Sequence, residues 1–162
     1  MIVCGIDPGF AVTGFGFIEK QGVKQKALRF GVIRTPAGLP IEKRFLQIEA
    51  DLNELLDMYR PSSLAAEELF FNTNVTTGIN VAQARGVILL TAARRGIPVF
   101  SYTPLQVKQA VTGYGKAEKS QVMEMTKRLL NLSKVPRPDD AADALAIALC
   151  HAQVAHSILP KE

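Results

Sequence analysis

The stretch MIVCGIDPG, residues 1–9, decides how this chain folds. It is a short apolar run that ends at Asp7 and a Pro-Gly pair, which predicts a buried strand followed by a turn. Two stretches of alternating polarity follow it, VTGFGFIE at 12–19 and ALRFGVIR at 27–34, and both are rich in β-branched and aromatic residues. Together the three stretches predict a three-stranded antiparallel meander.

After the meander, the apolar residues change to the period of a helix. Phe45, Ile48, Leu52 and Leu55 recur at helical spacing and predict a helix from about 41 to 60. Further segments predict strands at 64–71 and 97–102 and helices at 77–95, 104–112, 118–132 and 139–156. This order predicts an α/β protein with a mixed five-stranded sheet, in which the meander continues into parallel strands and helices cover both faces. We assign residues 1–157 to one domain and 158–162 to a short C-terminal tail.

The composition excludes several classes of protein. Of the 162 residues, 48% are hydrophobic and 21% are charged, which excludes intrinsic disorder. No apolar run approaches the roughly 20 residues of a membrane span, and the first residues lack the layout of a signal peptide. Cys4 and Cys150 are too few for a disulfide scaffold. We therefore expect a soluble cytoplasmic protein with no membrane partner, whose net charge of +4 permits nucleic acid as a partner without establishing it.

Acidic residues occur at the end of one predicted strand and inside another. Asp7 follows the first strand, where ligands of open α/β sheets gather, although an aspartate in a simple turn would read the same way. Glu67 and Glu68 lie in an otherwise apolar strand and must point to opposite faces. A buried carboxylate needs a cation or a metal beside it, whereas an edge strand would leave both glutamates in solvent.

Three further acids, Asp139, Asp140 and Asp143, open the last predicted helix, where helix capping would also select them. Asp140 and Asp143 are one turn apart, on the face that packs against the sheet. If this helix crosses a central first strand, both converge with Asp7 and Glu67. Such a cluster needs divalent cations, and hard oxygen ligands favour Mg²⁺ or Mn²⁺ over zinc. Two such ions would form the clamp of a phosphoryl-transfer enzyme.

An ordered set of short motifs resembles the RuvC family of Holliday-junction resolvases. The motifs are GIDPG at 5–9 with TG at 13–14, EELF at 67–70, QARG at 83–86, TP at 103–104, VKQ at 107–109, AEKS at 117–120 and DAADA at 140–144. The likeness spans almost the whole chain. It implies an RNase H-like fold and a homodimer that resolves four-way DNA junctions by paired, symmetrical, Mg²⁺-dependent nicks in recombination and repair. It also implies ends that ligase can seal and cooperation with the RuvA–RuvB branch-migration complex.

The same resemblance implies roles for individual residues. It places the catalytic, metal-binding carboxylates of a site with two Mg²⁺ ions, for which Mn²⁺ would substitute, on Asp7, Glu67, Asp140 and Asp143. A register shift of one residue would bring in Glu68 or Asp139, and Asp139 otherwise reads as the helix cap. Lys119 would assist catalysis. The implied DNA contacts are Phe70, Lys108 and Lys119, to which we add Lys116; Arg94 and Arg95 are weaker candidates.

Several interpretations remain beside this one. A stripe of small residues, Gly78, Ala82 and Gly86, is our candidate dimer contact. We interpret His151 and His156 as core or surface residues of the last helix and not as metal ligands. An actin-like ATPase fragment is disfavoured because the chain is too short for two lobes. A junction-binding protein without catalysis and an RNase H-fold nuclease for RNA–DNA hybrids stay open as alternatives.

Overall fold

In the computed structural model, residues 1–69 and 75–158 are described, and they form a mixed sheet flanked by helices. The strands are β1 (Ile2–Asp7), β2 (Val12–Gln21), β3 (Lys24–Arg34), β4 (Ser63–Glu67) and β5 (Val99–Tyr102). The helices are α1 (Ile41–Tyr59), α2 (Val75–Arg94), α3 (Pro104–Thr112), α4 (Lys119–Leu129) and α5 (Asp139–Ile158). No helix within these residues is long and apolar enough to cross a membrane.

The strand order across the sheet is β3-β2-β1-β4-β5, so the apolar first strand is central. It pairs antiparallel with β2 and parallel with β4, and β5 extends the parallel half. This confirms the predicted α/β class with a meander that continues into parallel strands. The carboxyl ends of β1, β4 and β5 lie at one edge of the sheet, which is where such folds place their ligands.

Apolar side chains fill both faces of the sheet. One face packs against α5, on which α3 and α4 pack in turn, through a cluster that includes Val3, Leu145 and Leu149. The other face, with Phe17 and Leu64 among its fully buried residues, packs beneath α1 and α2. The sheet is therefore enclosed on both sides, and this explains why its central strands contain almost continuous apolar runs.

Two glycines let α5 approach the meander closely. A Cβ built on Gly5 would lie 2.0 Å from the carbonyl oxygen of Ala144 and 2.8 Å from the Ala148 side chain. A Cβ on Gly14 would lie 2.0 Å from the carbonyl oxygen of Asp140. Real Cβ atoms do not make such contacts, so a larger residue at either position would force the helix to shift away from the sheet. The close approach places the first turns of α5 beside the end of β1.

The element boundaries differ from the sequence prediction mainly at β4. The strand ends at Glu67, so Glu68 and Leu69 lie beyond the sheet. The predicted strand continued to Phe71, and residues 70–71 lie outside the described part of the chain. At the other end, α5 includes Ile158, while residues 159–162 of the predicted tail also lie outside it.

Candidate active site

Three elements bring acidic side chains together at the carboxyl edge of the sheet. Asp7 is the last residue of β1, while Asp140 and Asp143 lie on the first turns of α5. Each of these three half-buried residues offers one carboxylate oxygen, and the three oxygens all lie within 4.8 Å of one another. The convergence expected from the sequence is therefore present for these three acids.

Glu67 ends β4, the strand that neighbours β1, and is also half-buried. Burial and the charge of Asp143 raise its pKa, while Lys119 and Lys108 act against that rise. Its carboxylate is thus electrostatically coupled to the cluster, although it lies outside the group of three close oxygens. The adjacent Glu68 is exposed and lies past the end of the strand.

Asp7 has the most perturbed carboxyl group of the four acids. Its pKa is raised from 3.8 to about 8, chiefly by burial and then by the charges of Asp143, Glu67 and Asp140 and a hydrogen bond with Asp140. In the metal-free protein, the folded state therefore favours the protonated form of Asp7. A divalent cation at the cluster would reverse this effect, because a nearby positive charge favours the carboxylate.

A lysine at the start of α4 faces the same cluster. Lys119 Nζ lies 3.3 Å from Asp143 Oδ2 and 3.7 Å from Asp139 Oδ2. Burial alone would lower the pKa of Lys119, but the charges of Asp143, Asp139 and Asp7 raise it overall. The ammonium group is therefore charged, and its side chain remains 57% exposed, so a substrate can reach it.

Asp139 does not act as the cap of α5 that the sequence suggested. It lies within the first turn of the helix, where Ala141 and Ala142 donate backbone hydrogen bonds to the Pro138 carbonyl. Its carboxylate accepts a hydrogen bond from Arg137 Nη1 at 3.0 Å and also faces Lys119. Asp139 is thus a neighbour of the cluster, and Asp140 is the acid that joins the three close oxygens.

The donor set suits a hard divalent cation. Carboxylate oxygens that are close together and half-buried need a positive charge between them, and such ligands are typical of Mg²⁺ and Mn²⁺. His151 is buried elsewhere, where its Nδ1 shares a 2.6 Å hydrogen bond with the Tyr102 hydroxyl. Cys4 and Cys150 are buried free thiols, and burial raises the pKa of both. Within the described residues, the cluster is therefore purely carboxylate.

The predicted DNA contacts fall in different places. Lys108 is near enough to the site for its charge to act on Glu67, and Lys116 is exposed on the connection between α3 and α4. Phe70 lies outside the described residues, and so does the side chain of His156, although its backbone belongs to α5. Arg94 and Arg95 lie at the opposite edge of the sheet, where their partners are Glu49, Asp57 and Asn53 on α1.

Sequence reasoning gave no role to Arg85. It was part of the QARG motif, but only the structure shows its contacts, with the Glu67 carbonyl at 3.1 Å and with Ser101 Oγ at 2.7 Å. Arg137 was likewise missed. Its only signal was a basic residue two positions before the acids of α5.

The fold is that of an RNase H-like protein: a mixed sheet of order β3-β2-β1-β4-β5 with helices on both faces and acids at the end of its central strand. Within that class the family is also clear. The model of the crossover junction endodeoxyribonuclease RuvC family matches residues 3–151, and the chain belongs to this family.

Relatives and solved structures agree with this assignment. The chain is 56% identical over 153 residues to a crossover junction endodeoxyribonuclease RuvC of Brevibacillus brevis, covering 94% of this chain and 92% of the relative. It is 57% identical over 151 residues to that of Syntrophomonas wolfei, covering 93% and 88%. A structure of Thermus thermophilus RuvC in complex with a Holliday junction substrate superposes with a TM-score of 0.92 at 40% identity, covering 97% and 96%. The yeast mitochondrial Holliday junction resolvase shares the fold, with a TM-score of 0.67 at 17% identity and coverage of 95% and 80%.

Proposed function

We propose that this protein resolves four-way DNA junctions by paired, symmetrical, Mg²⁺-dependent nicks during recombination and repair. The observation that carries this proposal is the convergence of Asp7, Asp140 and Asp143 to within 4.8 Å in a member of the RuvC family. A non-catalytic junction-binding protein would have no use for this cluster, because unneutralised carboxylates beside DNA oppose binding.

In the proposed mechanism, two Mg²⁺ ions, for which Mn²⁺ would substitute, would be held by Asp7, Glu67, Asp140 and Asp143. When bound, such ions lower the pKa of an attacking water and stabilise the leaving 3′ oxygen. Asp7 must release its proton for the site to load, because a metal ligand has to be deprotonated. Lys119, at 3.3 Å from Asp143, lies where it can offset the charge of the scissile phosphate.

Recognition of the junction is assigned to a basic region next to the site. Lys108, Lys116 and Lys119 lie on or between α3 and α4 and would bind phosphates, which position DNA without reading its sequence. Phe70, which follows the end of β4, would stack on bases at the junction centre. The proposal for Phe70 rests on the family resemblance alone.

Paired nicks require two sites related by a two-fold axis, so we propose a homodimer. The described part of α2 presents exposed apolar side chains along one face, among them Val75, Ile79 and Leu90. Gly86 lies on the same helix, and a Cβ built there would meet nothing within 4 Å. This face is open in the single chain and suits a second copy. The RuvA–RuvB complex is proposed as a further partner, and the cytoplasm, where the chromosome is available, as the location.

The test is a cleavage assay with the purified protein. End-labelled four-way junctions, linear duplexes and RNA–DNA hybrids are incubated with and without Mg²⁺, and Asp7→Asn serves as the inactive control. We expect symmetrical nicks confined to the junction, with ligatable ends, and junction binding by Asp7→Asn without cleavage. Cleavage of hybrids instead of junctions would establish the other nuclease, and junction binding without any Mg²⁺-dependent nick would contradict catalysis.

A further inference from the structure

Arg85 ties the end of β4 to β5 from the helix above them. Its Nε donates to the backbone carbonyl oxygen of Glu67 at 3.1 Å, and its Nη2 donates to Ser101 Oγ at 2.7 Å. The side chain is half-buried, and neither acceptor is a carboxylate. Two donors of the Arg85 guanidinium group therefore bind the strands that frame the site and not an acidic side chain.

No backbone N–H of the neighbouring strand β1 is placed to donate to the Glu67 carbonyl. The N–H of Glu68 donates to the carbonyl oxygen of Tyr102 on β5 at 2.8 Å. Because the peptide bond between Glu67 and Glu68 is trans, the Glu67 carbonyl points in the opposite direction, towards β1. The pairing of β1 with β4 ends at Ile6 and Ala66, and the next donor along β1 would be the nitrogen of residue 8. Residue 8 is proline, which has no N–H.

We propose that Arg85 is a positioning residue for Glu67, supplying the hydrogen-bond donor that Pro8 lacks and so holding the Glu67 carboxylate beside the acidic cluster of Asp7, Asp140 and Asp143. The inference rests on the proposed function, because Glu67 is one of the four proposed ligands. Its physical reason is that Glu67 is the last residue of β4, with no strand pairing beyond Glu68 to restrain it. Partners of this kind fix the orientation of metal ligands.

The test replaces Arg85 with alanine and reads the site in two ways. In the metal-free protein, hydrogen exchange in the segment 63–69 should become faster, because the end of β4 loses a restraint. In the nicking assay, the Mg²⁺ concentration for half-maximal rate should rise roughly 10-fold. Binding of the junction without Mg²⁺ should stay at the wild-type level, since Arg85 acts on the framework and not on DNA.

Two further variants separate positioning from general stability. Arg85→Lys keeps the charge but has a single donor nitrogen, which cannot reach both acceptors, so hydrogen exchange in 63–69 and the Mg²⁺ requirement of this variant should be intermediate. Arg95→Ala is the matched control, because Arg95 also joins two acceptors, Asn53 and Asp57, but at the opposite edge of the sheet. It should lower thermal stability without changing the Mg²⁺ requirement.

Wild-type exchange in 63–69 together with a wild-type Mg²⁺ requirement in Arg85→Ala would overturn the inference. If that variant does not fold, the same two results in Arg85→Lys would overturn it. A wild-type protein that nicks no junction would instead contradict the proposed function. Exchange in the metal-free protein, and the rise in melting temperature caused by Mg²⁺ alone, would still test the role of Arg85.

Discussion

At the level of single residues, folding destabilises the charged forms of several carboxyl groups in the site. Burial and three neighbouring acids raise the pKa of Asp7 to about 8, and burial raises the pKa of Glu67 and of Asp143. The folded, metal-free protein therefore favours protonated acids more strongly than the unfolded chain does. Metal binding would remove this conflict, which makes the loading of the site dependent on pH.

The sign of this effect yields a prediction for Asp7→Asn in the metal-free protein. Because the folded pKa of Asp7 lies above the unfolded value, its contribution to stability is complete below about pH 4 and is lost as the pH rises through about 8. Asparagine does not titrate, so the variant should exceed the wild type in stability at pH 8 by roughly 1–3 kcal/mol, after discounting for partial exposure. Thermal unfolding in EDTA at pH 4 and pH 8 measures the difference.

The difference in unfolding free energy between Asp7→Asn and the wild type should fall to nearly zero at pH 4. Asp51→Asn, a change on α1 outside the cluster, is the control and should show no such trend. A wild-type protein that gains stability over Asp7→Asn between these pH values would contradict the proposed electrostatics.

Lys119 provides the second prediction at this scale. Its ammonium group faces Asp143 and Asp139, and removing it should slow nicking at saturating junction roughly 100-fold, because a preorganised charge near the phosphate is lost. Single-turnover cleavage by Lys119→Ala at saturating Mg²⁺ measures the rate. The exposed Lys134→Ala is the matched control, and equal rates for the two variants would remove Lys119 from the chemistry.

At the scale of elements, the site depends on how closely α5 approaches β1. Gly5 on β1 and Gly14 on β2 leave no room for a side chain between the sheet and the helix. Helix α5 carries Asp140 and Asp143, whereas β1 carries Asp7, so the spacing of the two elements sets the spacing of the carboxylates. The glycines of GIDPG and TG are therefore as much a part of the site as its acids.

Gly5→Ala tests this dependence. The new methyl group would meet the backbone oxygen of Ala144, which cannot move without moving the helix, so unfolding free energy should fall by about 3 kcal/mol. Junction cleavage should fall further than the loss of folded protein explains, as measured at a temperature where the variant is folded. Gly86→Ala, where the added Cβ meets nothing within the single chain, is the control, and its single chain should be no less stable than that of wild type.

At the scale of the whole molecule, symmetrical cleavage needs two copies. The exposed apolar face of α2 lies on the opposite side of the sheet from α5, so a dimer formed there would leave both acidic clusters free for DNA. This dimer is a proposal, and it can be tested by changing α2 without changing the residues of the acidic cluster.

A charge on this face should dissociate the dimer without unfolding the chain. Ile79 is 49% exposed, so Ile79→Glu costs little in the single chain but would bury a carboxylate in the interface. Sedimentation should show a monomer at micromolar concentration, and cleavage should yield single nicks in place of paired ones. Leu46→Glu, on the exposed side of α1, is the control; dimers in both variants would exclude α2 as the interface.

The sequence alone predicted the α/β class and the approximate limits of most elements, whereas the central position of the first strand was an assumption that the strand order confirmed. Local periodicity encodes these features, and the ordered motifs that resemble the RuvC family encode its membership. It left open which acid of each doublet joins the cluster. The tertiary structure ends β4 at Glu67 and places Asp140, rather than Asp139, beside Asp7.

Only the tertiary structure could show the contacts of Arg85 and the place of Arg94 and Arg95. A basic residue on a helix looks the same in a sequence whether it faces DNA, an acid of another helix or a backbone carbonyl. The direction of its side chain depends on contacts between residues far apart in the chain, such as Arg85 with Ser101. Local patterns carry no record of such contacts, because they arise when the helices pack onto the sheet.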